Sequence, residues 1–296
     1  MLVLDAGARV TQLRFLPDGR LLVGTWAAGD AEVAIWSLPS GPRVVIPLSV
    51  RQVWDEPSRV AVAPAGDRMY LTFGTLQTHS TTDGSVILGG PLAPAGEVIV
   101  SPDGRRLVSA YRETNGDTVL YGHEAWGGRV WQATYPHPRA MYLAGFLPDG
   151  DRFLVAGYHA VAVRSFDAQQ EFAAVPYPAH RLSHLQLSPD GRHLGVIGHH
   201  SFYVYDTAAL GKPRRISGSS NSGNFVGFAF HPAGKTLAVI YGGPTLVKLY
   251  DLDTLTLRTK LNWKVGPLTC VAFSADGLLA AAGTDDGRVV VWDVDG

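Results

Sequence analysis

The sequence predicts an all-β chain, a single seven-bladed β-propeller of four-stranded antiparallel blades. Three observations predict it. Seven times a short apolar run ends in a Pro/Ala-x-Gly turn and a second apolar run follows. The turns are Pro17-Asp18-Gly19, Pro64-Ala65-Gly66, Pro102-Asp103-Gly104, Pro148-Asp149-Gly150, Pro189-Asp190-Gly191, Pro232-Ala233-Gly234 and Ala275-Asp276-Gly277. Successive glycines lie 47, 38, 46, 41, 43 and 43 residues apart, a period that marks one four-stranded blade per repeat. The runs are also continuous rather than alternating, which suits strands covered on both faces by neighbouring blades.

The last repeat shows the elements most plainly. Leu268 to Phe273 reads as a first strand, and the turn at Gly277 reverses the chain, glycine supplying the positive φ. Leu278 to Gly283 is the second strand, Asp285-Asp286-Gly287 a tight turn, and Arg288 to Asp293 the third. The fourth strand is expected from the other end of the sequence. Met1 to Leu4 is an apolar run with no place in its own repeat, whose first strand spans Val10 to Phe15. Placed on the outer edge of the seventh blade it closes the ring and leaves no unpaired edge between first and last repeats. Blade two is expected to be irregular: it is the shortest by spacing, and Leu76 to Thr82 makes a poor third strand.

The 296 residues are accounted for by seven repeats, so one domain over 1–296 is expected, with no appended domain at either end. The single cysteine, Cys270, excludes a disulfide framework or a cysteine-based metal cluster. Net charge is −1, without long charge blocks, which argues against a polyanion-binding surface made by bulk charge. Asp5 interrupts the N-terminal apolar run, and no apolar stretch reaches the ~18 residues a membrane helix requires. A cytoplasmic location is the expectation.

The pattern Phe273-Ser274-Ala275-Asp276-Gly277 … Asp286-Gly287 … Val291-Trp292-Asp293 resembles the WD-repeat family of β-propellers. The resemblance covers the whole chain with uneven quality. It places the Trp-Asp pair at Trp292-Asp293, Tyr250-Asp251, Tyr205-Asp206, Phe166-Asp167 and, in blade one, Trp36-Ser37, while blades two and three offer no match. Of the family's Gly-His histidines, only His137 stands thirteen residues before a turn glycine, Gly150. The family's buried His–Asp–Ser/Thr–Trp network is implied only in part: blade seven has Thr284, Asp286 and Trp292, with Ala6 or Gly7 at the histidine position. Propellers of looser signature, the lactonase and quinoprotein groups, remain open.

First strands descend along the channel, so the Pro/Ala-x-Gly turns share one face. The loops between second and third strands, and those leading into each blade, share the other. By resemblance, that loop face is the docking surface. It is expected to carry Trp26, Trp54, His79, Tyr111, Arg112, His137, Tyr158, His159, His199, His200, Tyr241, Trp263 and Asp285, with Tyr135, Tyr177 and His180 in the same loops. Exposed aromatics bury much area at little entropic cost, which suits binding. The plain structural reading is that such rings fill gaps between blades.

Chemistry finds little support. His159, His199 and His200 come from adjacent blades, but neighbouring His199 and His200 point to opposite faces of a strand, and no cysteine or well-spaced carboxylate completes a metal site. A lactonase-type cation needs several oxygen ligands in the channel. The inner strands supply Thr11, Gln12, Arg14, Arg59, Glu97, His184, Gln186 and Thr269, with Glu97 the one carboxylate. No Gly-x-Ser-x-Gly elbow or Walker-type loop occurs, Cys270 reads as an inert core thiol, and Ser217 to Asn224 lacks the lysine and helix of a phosphate loop. Arg105-Arg106 and Arg214-Arg215 fall on different sides of the disc and form no phosphate-tracking stripe.

The expected function is therefore a non-catalytic scaffold that binds a protein or peptide, as a monomer, without nucleic acid, membrane, metal or cofactor. The alternative is a small-ligand-binding or hydrolytic, lactonase-like propeller working at the channel mouth.

Overall fold

In the computed structural model, residues 1–27, 30–39, 43–46, 60–72, 74–88, 94–136, 141–157, 160–167, 170–176, 182–198, 201–217, 224–242 and 245–294 are described. They form seven antiparallel sheets. From the inner strand outward, blade one comprises Arg9–Phe15, Leu21–Ala27, Asp30–Trp36 and Arg43–Ile46. Blade three comprises Glu97–Val100, Arg106–Arg112, Thr118–Glu124 and Arg129–Tyr135, and blade four Met141–Phe146, Arg152–Gly157, Ala160–Ser165 and Glu171–Pro176. Blade five is built from Leu182–Leu187, His193–Gly198, Ser201–Asp206 and Arg214–Ser217, and blade six from Phe225–Phe230, Thr236–Tyr241, Val247–Asp251 and Leu257–Leu261. Inner strands of successive blades touch around the ring.

Blade seven holds Leu268–Phe273, Leu279–Thr284 and Arg288–Asp293, and its outer strand is Leu2–Asp5. Leu2 pairs with Val291 and Asp5 with Arg288, so the N-terminal strand closes the ring as the sequence predicts. Blade two is irregular as expected, though in a different strand. Gly74–Ser80 is a full third strand in register with Arg68–Thr72. The inner strand shrinks to Val60–Val62, and the outer position is shared by Val86–Leu88 and Pro94–Ala95.

Burial follows the layering. Leu21 to Thr25 in a second strand are buried one after another, whereas Glu171 to Ala174 in an outer strand are all exposed. Continuous apolar runs are thus the strands sandwiched between blades. Inner strands carry β-bulges that skip Thr11, Ala144, Ser183, Val226 and Thr269. A bulge re-aims the extra side chain. Here Thr11 and Ser183 donate their hydroxyls to the carbonyls of Gly24 and Ile197 within their blades, while Thr269 reaches Val10 in blade one at 2.5 Å.

The repeated turns also join the blades. All seven turn glycines have φ between 70° and 85°. A Cβ on Gly66 would lie 2.9 Å from Pro17 Cδ, and one on Gly191 2.4 Å from Pro148 Cδ: the preceding blade's proline fills the space these glycines leave, whereas Asp190 Oδ2 stands nearest Gly234, at 3.2 Å, and the His231 ring nearest Gly277, at 2.6 Å. Blade seven has Ala275 instead of proline, and Gly19 in blade one has nothing within 4 Å. The two positions therefore separate strain from packing. Gly19→Ala is expected to cost about 1 kcal/mol, from left-handed backbone alone. Gly191→Ala adds overpacking and is expected to cost about 2–4 kcal/mol. Denaturant midpoints of the two variants check this, and equal losses would show that the proline contact contributes nothing.

Candidate functional site

The second strand of blade three climbs to the loop face and ends in Tyr111 and Arg112. A tight turn follows: Gly116, at φ 91°, donates its N–H to Glu113, and the side chain of Asn115 accepts the Asp117 amide at 2.8 Å. The turn brings Thr118 opposite Arg112 in the ladder. Beside them the inner strand of blade three begins at Glu97. Its Oε2 accepts the Leu143 amide of blade four at 2.7 Å, tying the two blades together. Tyr142 precedes Leu143 and meets this corner from blade four. Between them lies a cavity of about 130 Å³, lined by Gly96, Glu97, Ala110, Tyr111, Arg112, Thr118 and Tyr142. Two of these, Tyr111 and Arg112, are among the residues the sequence places on the loop face. Glu97, Thr118 and Tyr142 are added by the meeting of two blades.

The other expected residues scatter. Trp26 is half-buried at the loop-face end of blade one, between Arg9 and Ala31. Asp285 is exposed and pairs with Arg9 at 2.9 Å, an ion pair open to solvent that contributes little. Trp263 turns inward, its ring centroid 4.6 Å from that of Trp292. Trp54, His137, Tyr158, His159, His199 and His200 lie outside the described residues, as does the histidine metal hypothesis built on three of them.

Two expectations are corrected. His79 does not stand in a loop: it is fully buried in the third strand of blade two, at the turn-face end. Its Nδ1 meets the Gly84 carbonyl at 3.0 Å and its Nε2 the Gln77 amide oxygen at 3.2 Å. Tyr241 is the last residue of a second strand, and the strand alternation turns it into the core between blades five and six. Its hydroxyl bonds that of Tyr250 at 2.8 Å, and Lys248 Nζ stands 4.0 Å from its ring centroid. Burial, and then the hydroxyl pair, hold its phenol far above the ordinary value.

Cys270 behaves as a core thiol, with burial pushing it up to about 12. Among the described residues, no three of His, Cys, Asp and Glu stand together as a metal site. Among the described residues, the most exposed aromatic of the large apolar side chains lies on the opposite, turn face. Trp126 is 65% exposed, with the Arg68 guanidinium 3.8 Å over its ring.

Three comparisons bear on identity. Residues 256–293 match the family model described as WD domain, G-beta repeat. The matched stretch takes in the outer strand of blade six and three strands of blade seven, so the sequence repeat straddles two blades. The chain is a seven-bladed propeller with a WD repeat. The chain superposes on the crystal structure of the Myceliophteria thermophila Cps50 (Swd1) β-propeller domain with a TM-score of 0.77. The match has 14% identity and covers 99% of this chain and 98% of that one. At that identity the likeness speaks for the fold. No curated protein matches the sequence.

Strand register fixes the tryptophan position: it faces the third residue after the turn glycine, as Trp292 faces Ala280. Tyr250 and Tyr205 obey the rule. It assigns Ile35 to blade one, His79 to blade two, His123 to blade three and Arg164 to blade four. Trp36 therefore sits one residue late, in the aspartate position, its ring under the Arg43 guanidinium. Phe166-Asp167 sits two late: the Phe166 amide bonds Asp151 at 2.7 Å, the bond that Leu252 and Val294 make in blades six and seven. Phe166 is buried there against Phe146 and Trp131, which is why an aromatic stands beyond the strand.

The aspartates act locally. Asp206 accepts the amides of Ala208 and Ala209, and Asp251 that of Thr254, starting the turn to the outer strand. The amide and hydroxyl of Thr254 and the Arg258 guanidinium lower Asp251 to about 2. Asp293 faces Leu279 at the corresponding place in blade seven. Thr284 donates its hydroxyl to Asp286 at 2.5 Å and accepts the Arg288 amide at 2.7 Å, while Asp286 pairs with Arg288. That set closes its own turn rather than reaching Trp292. The Ala6 amide bonds Gly287, and a Cβ on Gly287 would lie 2.8 Å from Ala8, so the backbone occupies the place of the family's histidine.

Proposed function

We propose that this chain is a non-catalytic scaffold that docks a protein or peptide on its loop face, as a monomer in the cytoplasm. The observation that carries the reading is the loop-face cavity at blades three and four. It is held between two sheets whose backbones are fixed by the Glu97–Leu143 bond and the Asn115 turn. A rigid site loses little freedom when it binds, which favours presentation of a surface. The WD-repeat fold, which typically serves as a protein-interaction scaffold, supports the same reading.

Affinity capture from lysate of the source organism tests it, with three baits shown to fold. They are the wild type, a loop-face variant (Trp26→Ala, Tyr111→Ala, Asp285→Ala) and a turn-face variant (Trp126→Ala, Arg192→Ala). A protein lost by the loop-face variant and kept by the turn-face variant is expected. Loss on the turn-face variant alone would move the docking surface to the side of Trp126. No specific protein on any bait would count against a scaffold.

A further inference from the structure

We propose that the cavity of blades three and four is an anchor pocket for an acidic peptide, with Arg112 receiving the peptide's carboxylate. The inference rests on the scaffold reading and names the chemistry of its partner.

Size excludes much. About 130 Å³ equals the liquid volume of roughly four waters, well below the about 300–1,000 Å³ of pockets that enclose drug-sized ligands. One amino-acid side chain fills it. The lining from Ala110, Tyr111 and Tyr142 is largely apolar and aromatic, suited to a side chain of moderate size without its own charge.

Charge then sets what flanks that side chain. Ten described arginines stand within 4.0 Å of a carboxylate. Arg14 and Arg214 bond backbone carbonyls, and Arg129 bonds Gln132. Arg112 is exposed at the cavity rim and has no such partner among the described residues. The carboxylate at the same cavity belongs to Glu97, which accepts the Leu143 amide and stays on the inner wall. A cation entering the pocket would meet the unneutralised Arg112. A carboxylate at the rim neutralises it, and a guanidinium donates two parallel N–H bonds to the two carboxylate oxygens in one plane.

The apolar cavity beside Arg112 makes the ligand a peptide rather than a free acid: one segment supplies both the side chain that fills the cavity and the carboxylate at its rim. The recognised segment is thus an Asp or Glu next to an apolar residue.

The test is a random linear peptide library on phage, selected against the immobilised full-length chain. Enriched sequences are then made as end-blocked peptides and titrated by calorimetry. Acidic residues beside an apolar one are expected to be enriched. Arg112→Gln is expected to weaken binding about tenfold to a hundredfold, the range of a charge-assisted hydrogen bond. Arg112→Lys should recover part of the loss, and binding should weaken as salt rises from about 0.05 to 0.5 M. Arg112 is exposed, so neither substitution threatens the fold.

Enrichment of basic or purely apolar sequences would overturn the inference, as would affinity indifferent to Arg112→Gln or an empty selection. Acetate alone competing at its own molar strength would overturn the peptide requirement. Each of these leaves the scaffold reading to the capture experiment, which depends on neither peptide nor Arg112.

Discussion

Removing residues 1–5 is expected to cost the fold about 2–4 kcal/mol and to make the protein prone to self-association. Leu2 and Leu4 are the half-buried members of the closing strand, and they pack with Val289 and Val291 of blade seven. A half-buried leucine contributes about 1 kcal/mol, so the pair supplies about 2 kcal/mol, and the ladder opposite Arg288–Val291 adds to it. The truncation also bares the hydrogen-bonding edge of Arg288–Asp293, with which Leu2–Asp5 pairs. Such an edge is a template for pairing with another chain. Denaturant unfolding and light scattering read the two effects. The double variant Leu2→Ala/Leu4→Ala keeps the strand and should show the stability loss without the association. An unchanged midpoint in the truncated chain would mean that ring closure does not depend on this strand.

The second large effect is a loss of stability in acid through His123. The imidazole is fully buried in the tryptophan position of blade three, its Nε2 bonded to Ser109 Oγ at 3.1 Å and its Nδ1 without a partner among the described residues. Burial, and secondarily the Arg129 charge, lower it to about 4. The unfolded chain, with an ordinary histidine near 6.5, then binds the proton more tightly than the folded one. Stability is accordingly independent of this group above pH 6.5. It falls by about 1.4 kcal/mol per pH unit below that and levels off under pH 4, a total of about 3 kcal/mol. Asp251 and Asp286, held to about 2, titrate in a lower window and leave the histidine step distinct. Unfolding midpoints between pH 7 and pH 4 measure the slope, and Ser109→Ala/His123→Phe should flatten it. A slope that survives that variant would assign the acid sensitivity elsewhere.

His123 also shows where sequence reading stops. The seven turn glycines and the strands of blade seven stand out because each rests on local chemistry: a positive φ, a run of apolar residues, a stop. Register is not local. Trp36 and Phe166 carry the right ring one and two residues from the right place, and only pairing with Leu21 or the bond to Asp151 reveals the slip. His79 and Tyr241 were expected in loops because their strands run further than their polar neighbours suggest. The tryptophan position itself accepts Ile35, His79, His123, Arg164 and two tyrosines, so it asks for volume between blades more than for one side chain. The cavity was half legible. Tyr111 and Arg112 follow from a strand end, whereas Tyr142 joins them from a different blade, across a contact that no spacing encodes.

The proline-to-glycine contacts of the turn face carry a consequence for how such a ring grows. Most turns hold both halves of a joint, a plug that fits forward and a socket that receives from behind. That is a head-to-tail interface, and head-to-tail interfaces with a fixed rotation close into rings. A duplicated blade arrives already able to dock with its parent on one side and its parent's neighbour on the other. The filling residue itself varies, with Asp190 nearest Gly234 and the His231 ring nearest Gly277. Gly19, with nothing within 4 Å of a Cβ, is the one turn glycine left uncovered, and it lies in the blade beside the seam that the N-terminal strand fastens.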